Sequence, residues 1–103
     1  MIVQRGDVIW LSMDPTVGRE QAKHRPHLVL SSTRQHRAMR LAIVVPMTSA
    51  DKPWPTRVEV VTGSYAICEQ PRTVSLDRVT RHDSTGYDTT AVATVIRTLI
   101  DPA

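Results

Sequence analysis

Two periods of apolar residues run through this chain, and the shorter one dominates. Val8, Ile9, Trp10 and Leu11, within residues 7–13, suit a half-buried strand that stops at Asp14-Pro15. A polar, Gly-bearing loop follows to His24, and Arg25 then leads into Pro26 and the apolar run Leu28-Val29-Leu30. Because proline pushes the preceding residue toward extended geometry, Arg25 should stand at the start of a second strand. Residues 41–45 form the most apolar segment and predict a central strand, with Pro46 as a bulge or edge that bends it toward Met47, Thr48 and Ser49. Beyond a loop at 50–55, residues 57–61 alternate polar and apolar with Val58 and Val60 pointing in. Thr62-Gly63-Ser64 reads as a turn, and residues 65–69 and 72–76 as two more short strands. The one convincing helix comes last, where Val92, Val95, Ile96, Leu99 and Ile100 make a single stripe, with Asp88 or a neighbouring Thr as its N-cap and an end near Asp101 before Pro102.

Short strands with tight connections, closed by one amphipathic helix, predict a mainly β fold: a small antiparallel barrel of SH3-like kind whose flank the helix covers. With 103 residues and no internal repeat, linker or composition break, residues 1–103 should form one domain that buries about two-thirds of its unfolded surface. Phe is absent and aromatics make up 4% of the chain, so the core must be built from Val, Ile, Leu and Met, and pairing with a second copy would help stabilise it. No apolar run approaches the ~20 residues that span a bilayer, and the N-terminus lacks the apolar stretch of a signal peptide, so the expected compartment is the cytoplasm, with no membrane partner.

Charge changes the picture through its distribution. The formal net charge is +3, yet residues 19–40 hold six Lys or Arg (Arg19, Lys23, Arg25, Arg34, Arg37, Arg40) against Glu20, a local +5. Three of the four histidines lie there too. Such a cluster suits either a polyanion or a solvated face. Cys68 is the single cysteine, among strand-like neighbours that make it a core residue, and the histidines at 24, 27, 36 and 82 have no metal-ligand spacing, so neither metal nor cofactor is expected.

One ordered string is more specific. Arg5-Gly6-Asp7-Val8 runs into Asp14-Pro15-Thr16-Val17-Gly18-Arg19-Glu20-Gln21, then Arg25-Pro26 and Leu28-Val29-Leu30, with Val45-Pro46-Met47-Thr48-Ser49 and Glu69-Gln70-Pro71-Arg72-Thr73 further on. This resembles the MazF/PemK toxins over most of the chain, the C-terminal helix included; Pro71 departs from the aliphatic residue usual there, and the turn at Thr62 is short. The resemblance implies an SH3-like barrel that forms a homodimer, cleaves single-stranded RNA at short sequences as an endoribonuclease (an mRNA interferase), and is inhibited by a partner antitoxin. The antitoxin expected is a short protein whose acidic, disordered tail folds over the basic groove. Carried over by position, Arg25 and Thr48 match the family's catalytic Arg and Thr, and Glu20 a glutamate that acts in some members. Gln21, Lys23, His24, His27, Ser49, Trp54, Gln70 and Arg72 are the further candidates for RNA contact.

RNA carries its own nucleophile, so catalysis without a metal requires help only for attack of the 2′-hydroxyl on the adjacent phosphorus. Arg25 suits the charge that develops there, because its planar donors match phosphate oxygens at any physiological pH. Thr48, and Ser49 beside it, can donate a hydroxyl. Glu20 is the candidate base and His24 or His27 the candidate acid. Trp54 could stack on an unpaired base or equally plug a barrel end, and Trp10 should be core. Two rivals remain: a non-catalytic relative that poisons DNA gyrase, which would present a tryptophan near the C-terminus where this chain has none, and a plain nucleic-acid-binding barrel indifferent to Arg25 and Thr48 individually.

Overall fold

The computed structural model describes residues 1–12 and 25–102. In chain order the elements are β1 (Val8–Leu11), β2 (Pro26–Val29), α1 (Thr33–Met39), β3 (Leu41–Thr48), β4 (Arg57–Val61), β5 (Ser64–Ile67), β6 (Arg72–Ser75), a 3-10 turn (Leu76–Arg78), β7 (Val79–Asp83) and α2 (Thr90–Ile100). The seven strands form one antiparallel sheet in the order β4-β5-β3-β2-β1-β7, with β6 also on β3.

Strand β3 organises the sheet. Its first half pairs with β6 from Leu41 to Val44, its end pairs with β5 at Met47 and Thr48, and β2 lies along Val44–Pro46. The strand runs unbroken through Pro46, in regular register with His27, so of the two expected alternatives there is no bulge but a local edge. Proline is tolerated because Val45 and Pro46 fall in the gap between the β6 and β5 ladders, where an amide donor is least needed.

Alternation along the strands gives the sheet two buried faces. One carries Ile9, Leu11, Val29, Ala42, Val44, Val74 and Leu76, with Val3 closing it. The other carries Val8, Leu28, Val45, Met47, Ala66 and Cys68, and receives Val92, Val95 and Ile96 of α2. Val58 and Val60 pack on this second face, as their alternation predicts. Ile9, Leu28, Val29, Val44, Val45 and Val92 are among the largest fully buried side chains, each contributing roughly 1.5–3 kcal/mol of burial. Core-filling without Phe is thereby met by β-branched residues, which a pleated sheet favours.

The predicted terminal helix is present; Val92, Val95 and Ile96 of its apolar stripe pack inward, while Leu99 and Ile100 at its end are exposed. Thr89 occupies the N-cap position, but the capping acceptor is Asp88, whose Oδ1 takes the Thr90 amide at 2.9 Å and the Thr90 hydroxyl at 2.7 Å. These hydrogen bonds hold the Asp88 carboxyl below its usual range. It is not the only helix: α1 follows a Ser32 N-cap that accepts from the Gln35 amide, and ends on Arg40 in the left-handed region. Strand β7 is likewise additional to the sequence reading.

The segment Arg5-Gly6-Asp7 serves the fold. The Arg5 Nε donates to the Leu30 carbonyl at 2.9 Å, and the Gly6 amide to the Val29 carbonyl at 2.9 Å. The buried Asp7 carboxylate accepts from the Gln4 amide at 2.8 Å and meets His82 Nε2 at 2.7 Å, tying the start of β1 to β7. His36 is also structural: its Nδ1–H donates to the Val3 carbonyl at 2.7 Å, and its Nε2 meets the Ser31 hydroxyl at 2.7 Å, which in turn accepts the Ile43 amide.

Candidate active site

The site is built on the face opposite α2. Arg25 is exposed and immediately precedes β2; Thr48 is half-buried at the end of β3. These two strands pair His27 with Pro46 and Leu28 with Val45. Carried two residues further, that register brings Arg25 level with Thr48. Thr48 in turn pairs with Tyr65 of β5, and Tyr65 with Glu59 of β4. A row of four polar side-chain positions therefore crosses the sheet, Arg25-Thr48-Tyr65-Glu59, all on one face by the alternation rule. Arg72, opposite Val44, emerges on the same face from β6.

The Thr48 Oγ1 accepts the Ala50 amide at 3.1 Å, which leaves its hydrogen free to donate outward. Ser49 is exposed beside it, and Gln70 is exposed ahead of β6 with its amide on the Ile67 carbonyl. Trp54 is 50% exposed, so it is no barrel plug. Trp10 is half-buried against the α2 face, and the Arg81 guanidinium lies 4.3 Å from its ring centroid, so one ring face is capped by a cation rather than by core. Glu20, Gln21, Lys23 and His24 lie outside the described residues.

His27 corrects an expectation. It is 3% exposed, between Ile9 and Pro46, and its Nδ1–H donates to the Arg25 carbonyl at 2.9 Å. Burial drives its pKa down to about 4, the Arg25 carbonyl contact opposes this, and the nearby charges of Arg72 and Arg25 lower it further. The ring is held neutral at pH 7, which disfavours the expected role of proton donor, and its hydrogen bond goes to the backbone of Arg25. An expected consequence concerns pH. The unfolded chain takes up this proton near pH 6.5 and the folded one only near pH 4, so stability due to neutral His27 is complete above pH 6.5 and is lost as pH falls toward 4, at roughly 1.4 kcal/mol per unit. Urea midpoints of wild type and His27→Gln at pH 7 and 4.5 should therefore converge on acidification; curves that stay parallel would contradict this assignment.

Cys68 is fully buried, and burial followed by the Glu69 charge pushes its thiol up to about 11, so it is protonated at neutral pH and no nucleophile. The Tyr65 phenol is also raised, by desolvation and then by Asp51 and Glu59, which keeps it a neutral donor. Among the described residues no three His, Cys, Asp or Glu side chains converge as a metal would require. Sequence reasoning missed Tyr65 and Arg57. The alternation that put Val58 and Val60 inside also put Arg57 and Glu59 on the other face, but only the β3–β5 register shows that this face carries Thr48.

With that geometry in place, likeness to known proteins is informative. The model of a family described as PemK-like, MazF-like toxin of type II toxin-antitoxin system matches residues 4–101. Over 74 residues the chain is 36% identical to the endoribonuclease toxin MazF of Escherichia coli (strain K12), covering 68% of this chain and 66% of that protein. Over 89 residues it is 36% identical to the endoribonuclease EndoA of Bacillus subtilis (strain 168), covering 78% of this chain and 77% of that protein. The fold superposes on a chain of the MazE-MazF crystal structure (Form-II) from Deinococcus radiodurans with a TM-score of 0.82 at 22% identity, over 100% of this chain and 99% of the other. It also superposes on a mycobacterial endoribonuclease in complex with its cognate antitoxin, with a TM-score of 0.74 at 18% identity over 98% and 97%.

Proposed function

This chain belongs to the PemK-like, MazF-like family of type II toxin–antitoxin toxins, and from that premise we propose that it is an endoribonuclease that cuts single-stranded RNA at short sequences without a metal. The observation that carries this reading is the register that brings Arg25, which is exposed, level with the half-buried Thr48 on one face of the sheet. The relatives' names supply the reaction class; the local chemistry supplies the roles.

The ribose 2′-hydroxyl attacks the adjacent phosphorus, the bond from phosphorus to the 5′-oxygen breaks, and the products are a 2′,3′-cyclic phosphate and a 5′-hydroxyl. Arg25 binds the non-bridging oxygens as negative charge concentrates on the phosphorane. Thr48 donates its unused hydroxyl hydrogen to one of them, and Ser49 offers a second donor. His27 holds Arg25 in place. Proton removal from the 2′-hydroxyl is assigned to Glu20, and with His27 neutral the leaving-group proton falls to His24 or to water. Gln21, Lys23, Trp54, Gln70 and Arg72 contact the strand on either side.

The chain acts as a homodimer in the cytoplasm and is held inactive by an acidic antitoxin segment laid over this basic face. Among the described residues no helix is long and apolar enough to cross a membrane. Incubation with long single-stranded RNA in EDTA tests the reading. Discrete fragments bearing 5′-hydroxyl ends, lost in Arg25→Ala, are the expected result; intact RNA, or cleavage that persists in the variant, would refute it.

A further inference from the structure

The loop between β3 and β4 carries a connected set of contacts. Thr48 accepts the Ala50 amide, and the carbonyl of the same residue accepts from Arg57 Nη1 at 2.8 Å. Ala50 is thus held from both sides, by the proposed catalytic threonine and by Arg57. The Arg57 amide donates to the Trp54 carbonyl at 3.0 Å, and its guanidinium carbon lies 5.2 Å from the Trp54 ring centroid. Lys52 Nζ stands 5.8 Å from the same centroid. Half of Trp54 is open to solvent. Among the described residues the buried Arg57 Nε–H has no partner, an arrangement that a folded protein tolerates where function asks for it.

We infer that Trp54, Arg57 and Lys52 form a stacking platform for an unpaired nucleobase next to the scissile phosphate, with Arg57 as the positioning residue that couples the platform to Thr48. The inference rests on the ribonuclease reading and adds to it where specificity arises. A large exposed indole with a guanidinium on its ring is pre-ordered to accept a base, and the Lys52 ammonium is placed to meet that nucleotide's phosphate. Since Arg57 fixes both Trp54 and Ala50, seating the base and aligning the Thr48 hydroxyl become one event.

The experiment uses full-length protein, with thermal melts confirming folding, in two assays. Steady-state cleavage gives KM and kcat together with the distribution of cut sites; anisotropy of a labelled all-2′-deoxy oligonucleotide, which cannot be cleaved, gives binding alone. Trp54→Ala should raise KM and weaken oligonucleotide binding roughly tenfold to a hundredfold and broaden the cut-site distribution at one position. Arg57→Gln should do most of the same and also lower kcat. Arg57→Lys, which keeps the charge and loses the planar stack, should not rescue the cut-site distribution. The double variant Trp54→Ala/Arg57→Gln should bind no worse than Trp54→Ala. Unchanged KM and cut sites in both single variants, or strictly additive binding losses, overturn the platform while leaving the nuclease intact. Trp54-dependent oligonucleotide binding by a wild type that cleaves no RNA would instead sink the nuclease reading and uphold the platform.

Discussion

Arg25→Ala should lower kcat for RNA cleavage by about a thousandfold or more, with a much smaller rise in KM. The magnitude follows from what the guanidinium does: a single positioned donor to developing charge is worth ~10²–10³ in rate, and an arginine acting on a phosphoryl transition state ~10³–10⁵. The split between kcat and KM follows from the chemistry. A phosphodiester already carries one negative charge, so charge-assisted binding is partly present in the ground state, and the extra gain appears only as the phosphorane forms. Arg25→Lys should recover little, since an ammonium cannot present two parallel donors. Thr48→Ala should cost less, about a hundredfold, because it removes one neutral donor. A variant at Arg25 in which KM rises and kcat holds would recast this residue as a strand-binding group and move the catalytic assignment elsewhere.

What the sequence disclosed about this site was order rather than geometry. Arg25 and Thr48 were legible because each stands in a recognisable string, yet nothing in the 22 residues between them states that β2 and β3 pair in the register that brings them level. The burial of His27 was not legible for a related reason. A histidine two residues beyond the key arginine reads as a second site residue, but a two-residue step along a strand only preserves the face, and here that face turns into the core one residue pair behind the site. Arg57 lay within a strand whose bounds were read correctly, but its significance depends on β5 lying between it and Thr48.

The fold divides along similar lines. The strands at β3 and β4 and the helix α2 have clear apolar periods, and each was recoverable to within a few residues. The helix α1 has one buried side chain, His36, which is polar, so there was no stripe to find. Strand β7 contains a single apolar residue, Val79, and lies at one end of the strand order, where its role is to pair with β1 and to place Arg81 on Trp10. Elements held by polar contacts and sheet edges leave little trace in hydrophobic patterning.

The second large effect concerns Gly6, inside a motif that in isolation would be read for function. Gly6 has φ +92, and a Cβ built there would be driven into the carbonyl oxygen of Tyr87, with the Tyr87 amide nitrogen at 3.1 Å. Neither neighbour is a flexible side chain that can swing aside. Both belong to the backbone joined to Gly6 by the Tyr87 amide, which donates to the Gly6 carbonyl at 2.8 Å. Gly6→Ala must therefore separate the chain ahead of β1 from the segment leading into α2, and with it loosen Asp7 from His82. Combining left-handed strain of ~1–2 kcal/mol with loss of these contacts, the expected destabilisation is about 3 kcal/mol or more, and at about 4–8 °C per kcal/mol for a domain of this size the melting temperature should fall by over 10 °C. Gly63→Ala provides the comparison. Its φ of +80 is similar, but nothing lies within 4 Å of the added carbon, so only the backbone strain should register. Equal melting temperatures for the two alanine variants would mean that the close approach at Tyr87 does not hold this fold together.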